Sequence, residues 1–423
     1  MERLLHYVWK YKLYGISSLL VTTEGYTIEI IDPGLENGNA GPDFFNAKIK
    51  IDGTLWAGSV ELHDKASDWK LHCHHLDKAY DNVILHVVGI DDFQPKRTNG
   101  ELIPQLVLTI PKQVSRNVEW LLYREASLPC LDFISQMDSF HMSGWLEALL
   151  TERLERKTQD IFRLLELYKG DWNEAFYVTL TRNFGFGLNN DAFERLAKSV
   201  PFRCIQKQRS NHSQIEALLL GQAGVLNEQN GDHYYRLLQR EYVFLQHKYN
   251  LTPLDDCIFK NLRTRPMNFP YLKIAQLASL WVQYDTLFSV ILEAGTPGDV
   301  KRFFRISPSE YWDTHYHFRY ASPKKEKVIG ENALNILLIN TVVPMYFAYG
   351  IHHKQPEYCE RALRLLESIP PERNSIVSIF EKAGVKVRSA CDTQGLIQLK
   401  REYCEKKKCL YCRIGFRMLK CKD

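Results

Sequence analysis

Hydrophobic and polar positions over the first 110 residues change from the spacing of a helix to the spacing of strands. Over residues 2–14 apolar side chains recur every three or four positions, which predicts an amphipathic helix. The runs that follow are rich in strand-forming residues and are bounded by Pro-Gly, Gly-Pro and Asp-Gly turns. The predicted strands cover 26–31, 44–51, 54–63, 82–89 and 105–110, with a short helix over 74–81. The order of elements through residue 90 is therefore αβββαβ.

The pattern changes after residue 113, where helical periodicity dominates as far as about residue 384. No repeat of fixed period is visible, so a solenoid is not supported. We therefore predict an α+β protein of three parts. These are a sheet domain over 1–112, a helical domain over 113–385 and a small cysteine-rich unit over 386–423.

The composition is that of a globular protein. Of the 423 residues 45% are hydrophobic and 25% are charged, which argues against a disordered or fibrous chain. The first residues mix charged with apolar positions and so lack the apolar core of a secretory signal. The most apolar stretch, 333–349, is interrupted by polar residues and is shorter than the roughly 20 residues of a membrane span, so a buried helix is predicted. We expect a cytoplasmic protein that is not bound to a membrane.

Three residues of the predicted sheet have the chemistry of a metal site. Asp43 precedes the second strand, and Glu61 and His63 lie two apart on the third, so their side chains share a face. If these strands are neighbours, both carboxylates offer the oxygen ligands that Mg²⁺ or Mn²⁺ prefers. Such a cation would polarise a phosphoryl oxygen and activate water. Taken singly, however, Asp43 is typical of a turn and Glu61 of a solvent-facing strand position.

The sequence Pro42-Asp43 before one strand and Glu61-Leu62-His63 on the next resembles the PD-(D/E)XK nuclease-like fold. The resemblance implies that Asp43, Glu61 and the carbonyl of Leu62 bind the metal ion, and that the substrate is DNA or RNA. His63 stands where a lysine is usual, and a histidine with a pKa of about 6.5 is mostly neutral at pH 7. Three roles remain open for it: hydrogen bonding to the attacking water, metal binding, or a site without catalysis. Lys78 on the following helix is a candidate for the missing positive charge.

Histidines are dense in the same region and allow a different site. His63, His72 and His74 could surround one zinc ion, because imidazole is a favoured zinc ligand. This alternative predicts a zinc-dependent hydrolase. Trp69, in the turn before His72, is either a buried anchor or an aromatic surface of a nucleic-acid cleft.

A second candidate metal site lies near the end of the chain. Cys404, Cys409 and Cys412 have the spacing Cys-x4-Cys-x2-Cys, and the intervening lysines are expected to lower the thiol pKa values and favour metal-binding thiolates. With Cys391 or Cys421 as the fourth ligand, the set would hold zinc or an iron–sulfur cluster. The alternative is a group of reduced cysteines beside a basic tail.

Positive charge is concentrated in the same segment. The formal net charge of the chain is +4, whereas residues 386–423 alone carry an excess of seven positive charges. Lysines and arginines there alternate with aromatic residues, a composition that suits phosphates and unpaired bases. The candidate nucleic-acid contacts, together with Trp69, are Arg401, Lys406, Lys407, Lys408, Arg413 and Arg417. A solvated charge run would have the same composition.

Several stretches together resemble an uncharacterised bacterial family, a domain of unknown function seen mainly in Bacteroidetes. They are Gly41-Pro42-Asp43-Phe44, Val60-Glu61-Leu62-His63, Ser67-Asp68-Trp69, Leu85-His86-Val87-Val88, Arg265-Pro266-Met267-Asn268-Phe269-Pro270 and Tyr403-Cys404 to Gly415. The resemblance implies a cytoplasmic bacterial protein and brings no activity. The leading hypothesis is a metal-dependent phosphodiesterase of the PD-(D/E)XK type. The alternatives are an inactive nuclease-fold protein that binds nucleic acid or acts as a scaffold, and the zinc-dependent hydrolase.

Overall fold

The computed structural model describes residues 2–14, 20–37, 40–123, 128–229, 231–261 and 264–420. The chain divides into two compact units: Met1–Met137 with Lys400–Asp423, and Asp138–Leu399. A sheet and many helices are present, so the predicted α+β class is confirmed. The predicted boundaries at 112 and 385 differ from those of the units, because the C-terminal segment belongs to the same unit as the sheet.

The first unit is built on a mixed sheet. Its elements up to Met137 are α1 (Glu2–Lys10), β1 (Leu20–Val21), β2 (Thr27–Asp32), β3 (Leu35–Glu36), β4 (Phe44–Ile51), β5 (Thr54–Lys65), α2 (Asp68–Leu71), β6 (Val83–Ile90), β7 (Gln105–Val107), α3 (Lys112–Tyr123) and α4 (Leu131–Ile134). The strand order is β1-β2-β4-β5-β6-β7, with β3 paired to β4. Strands β2, β4 and β5 are antiparallel neighbours, whereas β5, β6 and β7 run parallel.

The predicted elements of this unit are recovered with changes at their ends. The first helix ends at Lys10, because Lys12 takes a left-handed φ of 50°, a conformation that terminates helices. The helix predicted over 74–81 is instead two 3₁₀ turns, His74–Leu76 and Lys78–Tyr80, which follow α2. Strand β7 ends three residues earlier than predicted.

The two faces of the sheet differ in chemistry. Val60 and Leu62 of β5 and Val87 of β6 are fully buried in an apolar core that also contains residues of α1 and α3. Strand β6 is buried along six consecutive residues, as its continuous apolar sequence predicts for a strand covered on both faces. Alternate residues point to the opposite face, so Glu61, on β5, lies on the face away from this core.

A bulge in β4 sets the position of Asp43. Ala47 pairs with Gly58, but the register shifts before Phe44, which pairs with Val60. Asn46, inside the bulge, has a φ of 58°, a conformation that asparagine tolerates better than most residues. The shifted register places Asp43 opposite Glu61. A β-bulge commonly has this effect of redirecting a side chain.

The second unit is mainly helical. Its helices are α5 (Ser139–Leu167), α6 (Trp172–Asn183), α7 (Asn190–Ser199), α8 (Phe202–Gln208), α9 (His212–Gln222), α10 (His233–Tyr249), α11 (Pro270–Gln283), α12 (Leu287–Glu293), α13 (Pro297–Phe303), α14 (Glu331–Leu337), α15 (Val343–His353), α16 (Pro356–Glu367), α17 (Ser375–Lys382) and α18 (Ala390–Gln398). A short hairpin, β8 (His315–His317) and β9 (Tyr320–Ala321), interrupts the helical pattern.

Helices α14 and α15 are joined by a π-helical turn into one helical segment, Glu331–His353. By length and composition this segment could cross a membrane, but 72% of its apolar window is buried inside the protein. The burial agrees with the buried helix predicted over 333–349.

The C-terminal segment contains three short elements. They are a π-helical turn, Leu399–Cys404, a 3₁₀ turn, Cys409–Tyr411, and α19 (Arg413–Lys420).

A buried carboxylate lies in the core of the second unit. Glu216 of α9 is fully buried and accepts hydrogen bonds from the Trp312 indole N–H and, at 3.1 Å, from the Ser309 hydroxyl. Burial raises its pKa to about 7, although the hydrogen bonds act in the opposite direction. The folded protein therefore holds this proton more tightly than the unfolded chain does.

We predict that the Glu216→Gln variant changes how the stability of the protein depends on pH. The wild-type contribution is fully present below the unfolded pKa and is lost as pH rises towards the folded pKa of about 7. Relative to the wild type, the free energy of unfolding of Glu216→Gln should rise by about 2 kcal/mol between about pH 5 and pH 8. Denaturant titrations at both pH values measure this difference. The exposed Glu147→Gln substitution is the control, and equal pH dependence of Glu216→Gln and wild type would contradict the prediction.

Candidate metal centre

The structure brings Asp43 and Glu61 together at one end of the sheet. The Asp43 N–H donates to Glu61 Oε2 at 3.0 Å, and the Leu62 N–H donates to Asp43 Oδ2 at 3.0 Å. Nε2 of His6, on α1, lies 3.2 Å from the same Asp43 oxygen. The sequence does not reveal His6 as part of the site, because nothing in a helical pattern indicates contact with a residue so far along the chain.

Two imidazoles lie close to the other oxygen of Glu61, and a third contacts one of them. Glu61 Oε1 lies 3.2 Å from His74 Nε2 and 3.6 Å from His63 Nε2. His63 Nε2 is also 3.2 Å from Nδ1 of His72. The ligand atoms of the three histidines all lie within 4.8 Å of one another, so one metal ion could contact all three. Cys73, between His72 and His74, takes a left-handed φ of 61°, which places both rings by the same strand.

A chain of hydrogen bonds behind this cluster sets the tautomer of His63. The Asp91 carboxylate can only accept, so the Gln105 amide donates to it at 2.7 Å and leaves its oxygen to accept from His86 Nδ1 at 2.9 Å. His86 Nε2 then accepts from His63 Nδ1 at 2.8 Å. The lone pair of His63 is therefore on Nε2, the atom that faces Glu61. Such supporting hydrogen bonds are typical of metal-bound histidines.

Burial controls the charges of the cluster. His63 is 1% exposed, and burial together with the neighbouring imidazoles lowers its pKa to about 2. Burial likewise lowers the pKa of His86 to about 4 and raises the pKa of Glu61. A neutral His63 cannot supply the positive charge of the lysine that the PD-(D/E)XK resemblance leads one to expect at this position. Neutral imidazole is, however, the form that binds metal ions.

The residues of the cluster differ in their exposure to solvent. His72 is exposed and the Asp43 side chain is 24% exposed, whereas Glu61, His63 and His74 are buried. A substrate that approaches the site would therefore meet Asp43 and His72 first.

Trp69 and Lys78 are the two other residues of this region for which the sequence predicts a role. Trp69 is fully buried, donates to the Lys96 carbonyl at 3.1 Å and packs edge-on against His74 and His86. The predicted nucleic-acid contact at Trp69 is thus wrong, because its ring is not accessible to a base. Lys78 is exposed at the start of its 3₁₀ turn, where it acts electrostatically on Asp81, and its suggested catalytic role stays a prediction.

The structure groups the C-terminal cysteines differently from the sequence prediction. Cys404, Cys409 and Cys412 belong to the first unit and line a cavity there. Cys391 belongs to the second unit, where it packs against the helical core, and Cys421 lies outside the described residues. The expectation that neighbouring lysines lower the thiol pKa values is wrong for Cys404 and Cys409, because burial outweighs the lysines and raises both pKa values.

The predicted basic contacts lie mostly on the surface. Arg401, Lys406, Lys407, Lys408 and Arg413 are exposed, and Arg417 is half-buried. Lys406 forms an ion pair with Glu402 at 2.5 Å, one helical turn away. The contact of these residues with nucleic acid stays a prediction.

Comparison with known proteins identifies the family of the chain. It belongs to the family described as protein of unknown function (DUF2851), whose model matches residues 2–375. No curated protein matches the chain, and no solved structure matches it. The family match covers the sheet and most of the helical unit, and it assigns no activity to either.

The hydrogen-bond chain behind His63 predicts a cost for removing Gln105. The Gln105→Leu substitution leaves the buried His86 Nδ1 without its partner and removes the hydrogen bond to Asp91. Loss of a buried partner costs about 1–3 kcal/mol, so we expect a loss of that size in the free energy of unfolding. Val107→Leu, at an exposed position of the same strand, is the matched control. A Gln105→Leu variant as stable as this control would refute the assigned network.

Proposed function

We propose that this protein is a metal-dependent phosphodiesterase that acts on DNA or RNA. The observation that carries the proposal is the convergence of Glu61, His63, His72 and His74 beside Asp43, at a place that is open to solvent. A carboxylate and several imidazoles next to a second carboxylate are the donor set of a hydrolytic metal centre.

The topology of the first unit supports a nuclease-like fold. A helix, three antiparallel strands, a crossover and a parallel strand follow one another as α1, β2, β4, β5, α2 and β6. This is the order that the PD-(D/E)XK resemblance predicts. Asp43 and Glu61 also lie on the two strands on which that resemblance requires its acidic pair. The fold assignment rests on this likeness of topology and site.

The donor atoms favour Zn²⁺ or Mn²⁺ over Mg²⁺, because imidazole suits transition metals and Mg²⁺ prefers oxygen. The donor chemistry fits a cation, since the His63 lone pair and the Glu61 carboxylate face each other at 3.6 Å and both are acceptors. Glu61, His63, His72 and His74 would hold the ion. The resemblance implies two more ligands, Asp43 and the Leu62 carbonyl, and the Asp43 carboxylate accepts the Leu62 N–H.

Different residues of the chain would have different roles in hydrolysis. A bound metal ion supplies Lewis acidity and lowers the pKa of a coordinated water. Asp43, oriented by the Leu62 N–H, is more exposed than Glu61, and it would accept a proton from the attacking water or bind the ion directly. Burial alone would lower the pKa of His6, but the Asp43 carboxylate outweighs burial and the pKa is raised. A protonated His6 would place a proton beside a phosphoryl oxygen.

A second candidate function is nucleic-acid binding without cleavage, or a scaffold role. The neutral, buried His63 in place of a lysine favours it, since one positive charge of the nuclease pattern is then missing. The exposed basic residues of 401–413 would then bind the phosphate backbone. A third candidate, a zinc-dependent hydrolase of another substrate, rests on the three imidazoles alone.

Cleavage of labelled DNA and RNA in the presence of Mn²⁺, Zn²⁺ or Mg²⁺ tests the leading proposal. We expect cutting with Mn²⁺ or Zn²⁺, and a loss of about 100-fold or more in Asp43→Asn and Glu61→Gln, because metal catalysis supplies several kcal/mol. The exposed Glu29→Gln variant, on β2, is the control for removal of a strand carboxylate. Binding without cutting by the wild type would favour the second candidate, and hydrolysis of neither nucleic acid would contradict the proposal.

Metal content gives an independent test of the ligand set. We expect the His72→Ala/His74→Ala double variant to bind Zn²⁺ or Mn²⁺ at least about 10-fold more weakly than the wild type, because two of the four ligands are lost. Titration calorimetry of protein stripped with a chelator measures this affinity. His75→Ala, in the same turn and outside the ligand set, should bind as the wild type does. Equal affinities of the double variant and His75→Ala would contradict the assignment.

A further inference from the structure

Four cysteines of the first unit line a single cavity. It has a volume of about 200 Å³, and Cys130, Cys404, Cys409 and Cys412 all contribute to its wall. Three of them come from the C-terminal segment. Cys130, which directly precedes α4, is far from the others in the sequence, and the folding of the first unit brings it to them.

The thiols are close enough to influence one another. Burial raises the pKa of Cys404, and the thiols of Cys130, Cys412 and Cys409 raise it further. Burial also raises the pKa of Cys130 to about 12, with additional contributions from Cys412 and Cys409. Four thiols that line one cavity are an arrangement that a metal centre can bridge, because metal binding deprotonates cysteine ligands.

The backbone around the cavity is fixed by several specific contacts. A side chain on Gly415 would place its Cβ only 2.1 Å from the Cys409 carbonyl oxygen, so glycine is required for α19 to lie this close to the preceding turn. The Lys408 N–H donates to the Tyr403 carbonyl, and Lys407 takes a left-handed φ of 53°. These contacts hold the turn between Cys404 and Cys409, so both thiols face one cavity.

The surroundings also suit a metal centre. Leu121, Leu128 and Pro129 form an apolar part of the wall, which limits the access of water. Lys400 and Lys407 also line the cavity, and their positive charges would offset the negative charge of four thiolates. The Cys409 thiol is 3.7 Å from the Leu121 carbonyl, to which it donates.

We propose that Cys130, Cys404, Cys409 and Cys412 bind a metal centre through four thiolates. Cys130, and not Cys391, is the fourth ligand, since Cys391 belongs to the core of the other unit. The spacing Cys-x4-Cys-x2-Cys with one remote cysteine is that of an iron–sulfur protein of the plant ferredoxin type, although here the remote cysteine comes first.

The cavity favours an iron–sulfur cluster over a single zinc ion. A zinc ion with four sulfurs at about 2.3 Å fills the space between them and leaves no cavity. The cavity of about 200 Å³, which the four cysteines line together with other residues, instead has room for several iron and sulfide atoms. The proposed metal centre would link Cys130 to the C-terminal segment and so hold that segment within the first unit. This role is independent of the phosphodiesterase proposal.

Metal and sulfide analysis of the full chain, purified without oxygen and without added metal, tests the proposal. Iron with acid-labile sulfide and a brown chromophore is the expected result, and one zinc per chain that the His72→Ala/His74→Ala variant retains would also support a four-thiolate centre. The Cys130→Ser variant should lose about 90% or more of this metal, whereas Cys391→Ser, the matched control, should retain it. A wild type without iron or zinc would overturn the proposal, as would loss of metal in Cys391→Ser but not in Cys130→Ser.

Thiol alkylation of the wild type keeps the test valid even if Cys130→Ser does not fold. Cys73 and Cys257 are exposed and should react with or without chelator. Cys130, Cys404, Cys409 and Cys412 should become reactive only after the chelator removes the metal, as read by peptide mass spectrometry. Equal labelling of the four cysteines before and after chelation would overturn the proposal.

Discussion

The pairing of β4 with β5 across a bulge is the constraint on which the candidate site depends. The register shift at Asn46 sets Asp43 opposite Glu61, and two reciprocal hydrogen bonds between backbone and carboxylate lock the pair. A strand without the bulge would put Phe44 there instead. Side chains alternate between the faces, so a shift of one residue would also exchange the apolar core face for the polar one.

The polar face of the sheet carries an unusual concentration of buried polar side chains. Glu61, His63 and His86 are almost fully buried, and burying such groups is unfavourable unless each finds a partner. The chain from His63 through His86 and Gln105 to Asp91 satisfies one side of the network. On the other side, His63 Nε2 and Glu61 Oε1 are acceptors that face each other at 3.6 Å. A metal ion would satisfy them, which links the stability of this face to its proposed chemistry.

The sequence predicts the strands well because their hydrophobic runs are long or sharply bounded by turns. It predicts β6 from continuous apolar residues, but the two-residue strands β1 and β3 have no comparable signal. Local patterns place Asp43, Glu61 and His63 in one region. They do not reveal His6, Cys130 or the burial of Trp69, since these depend on contacts between segments far apart in the chain.

Anomalous X-ray diffraction from crystals grown with Mn²⁺ or Zn²⁺ tests most directly whether the imidazole cluster is a metal centre. The account predicts an anomalous peak among Glu61 Oε1, His63 Nε2, His72 Nδ1 and His74 Nε2, with the Asp43 carboxylate beside it. Crystals that hold the metal elsewhere but show no peak at these four atoms would contradict it.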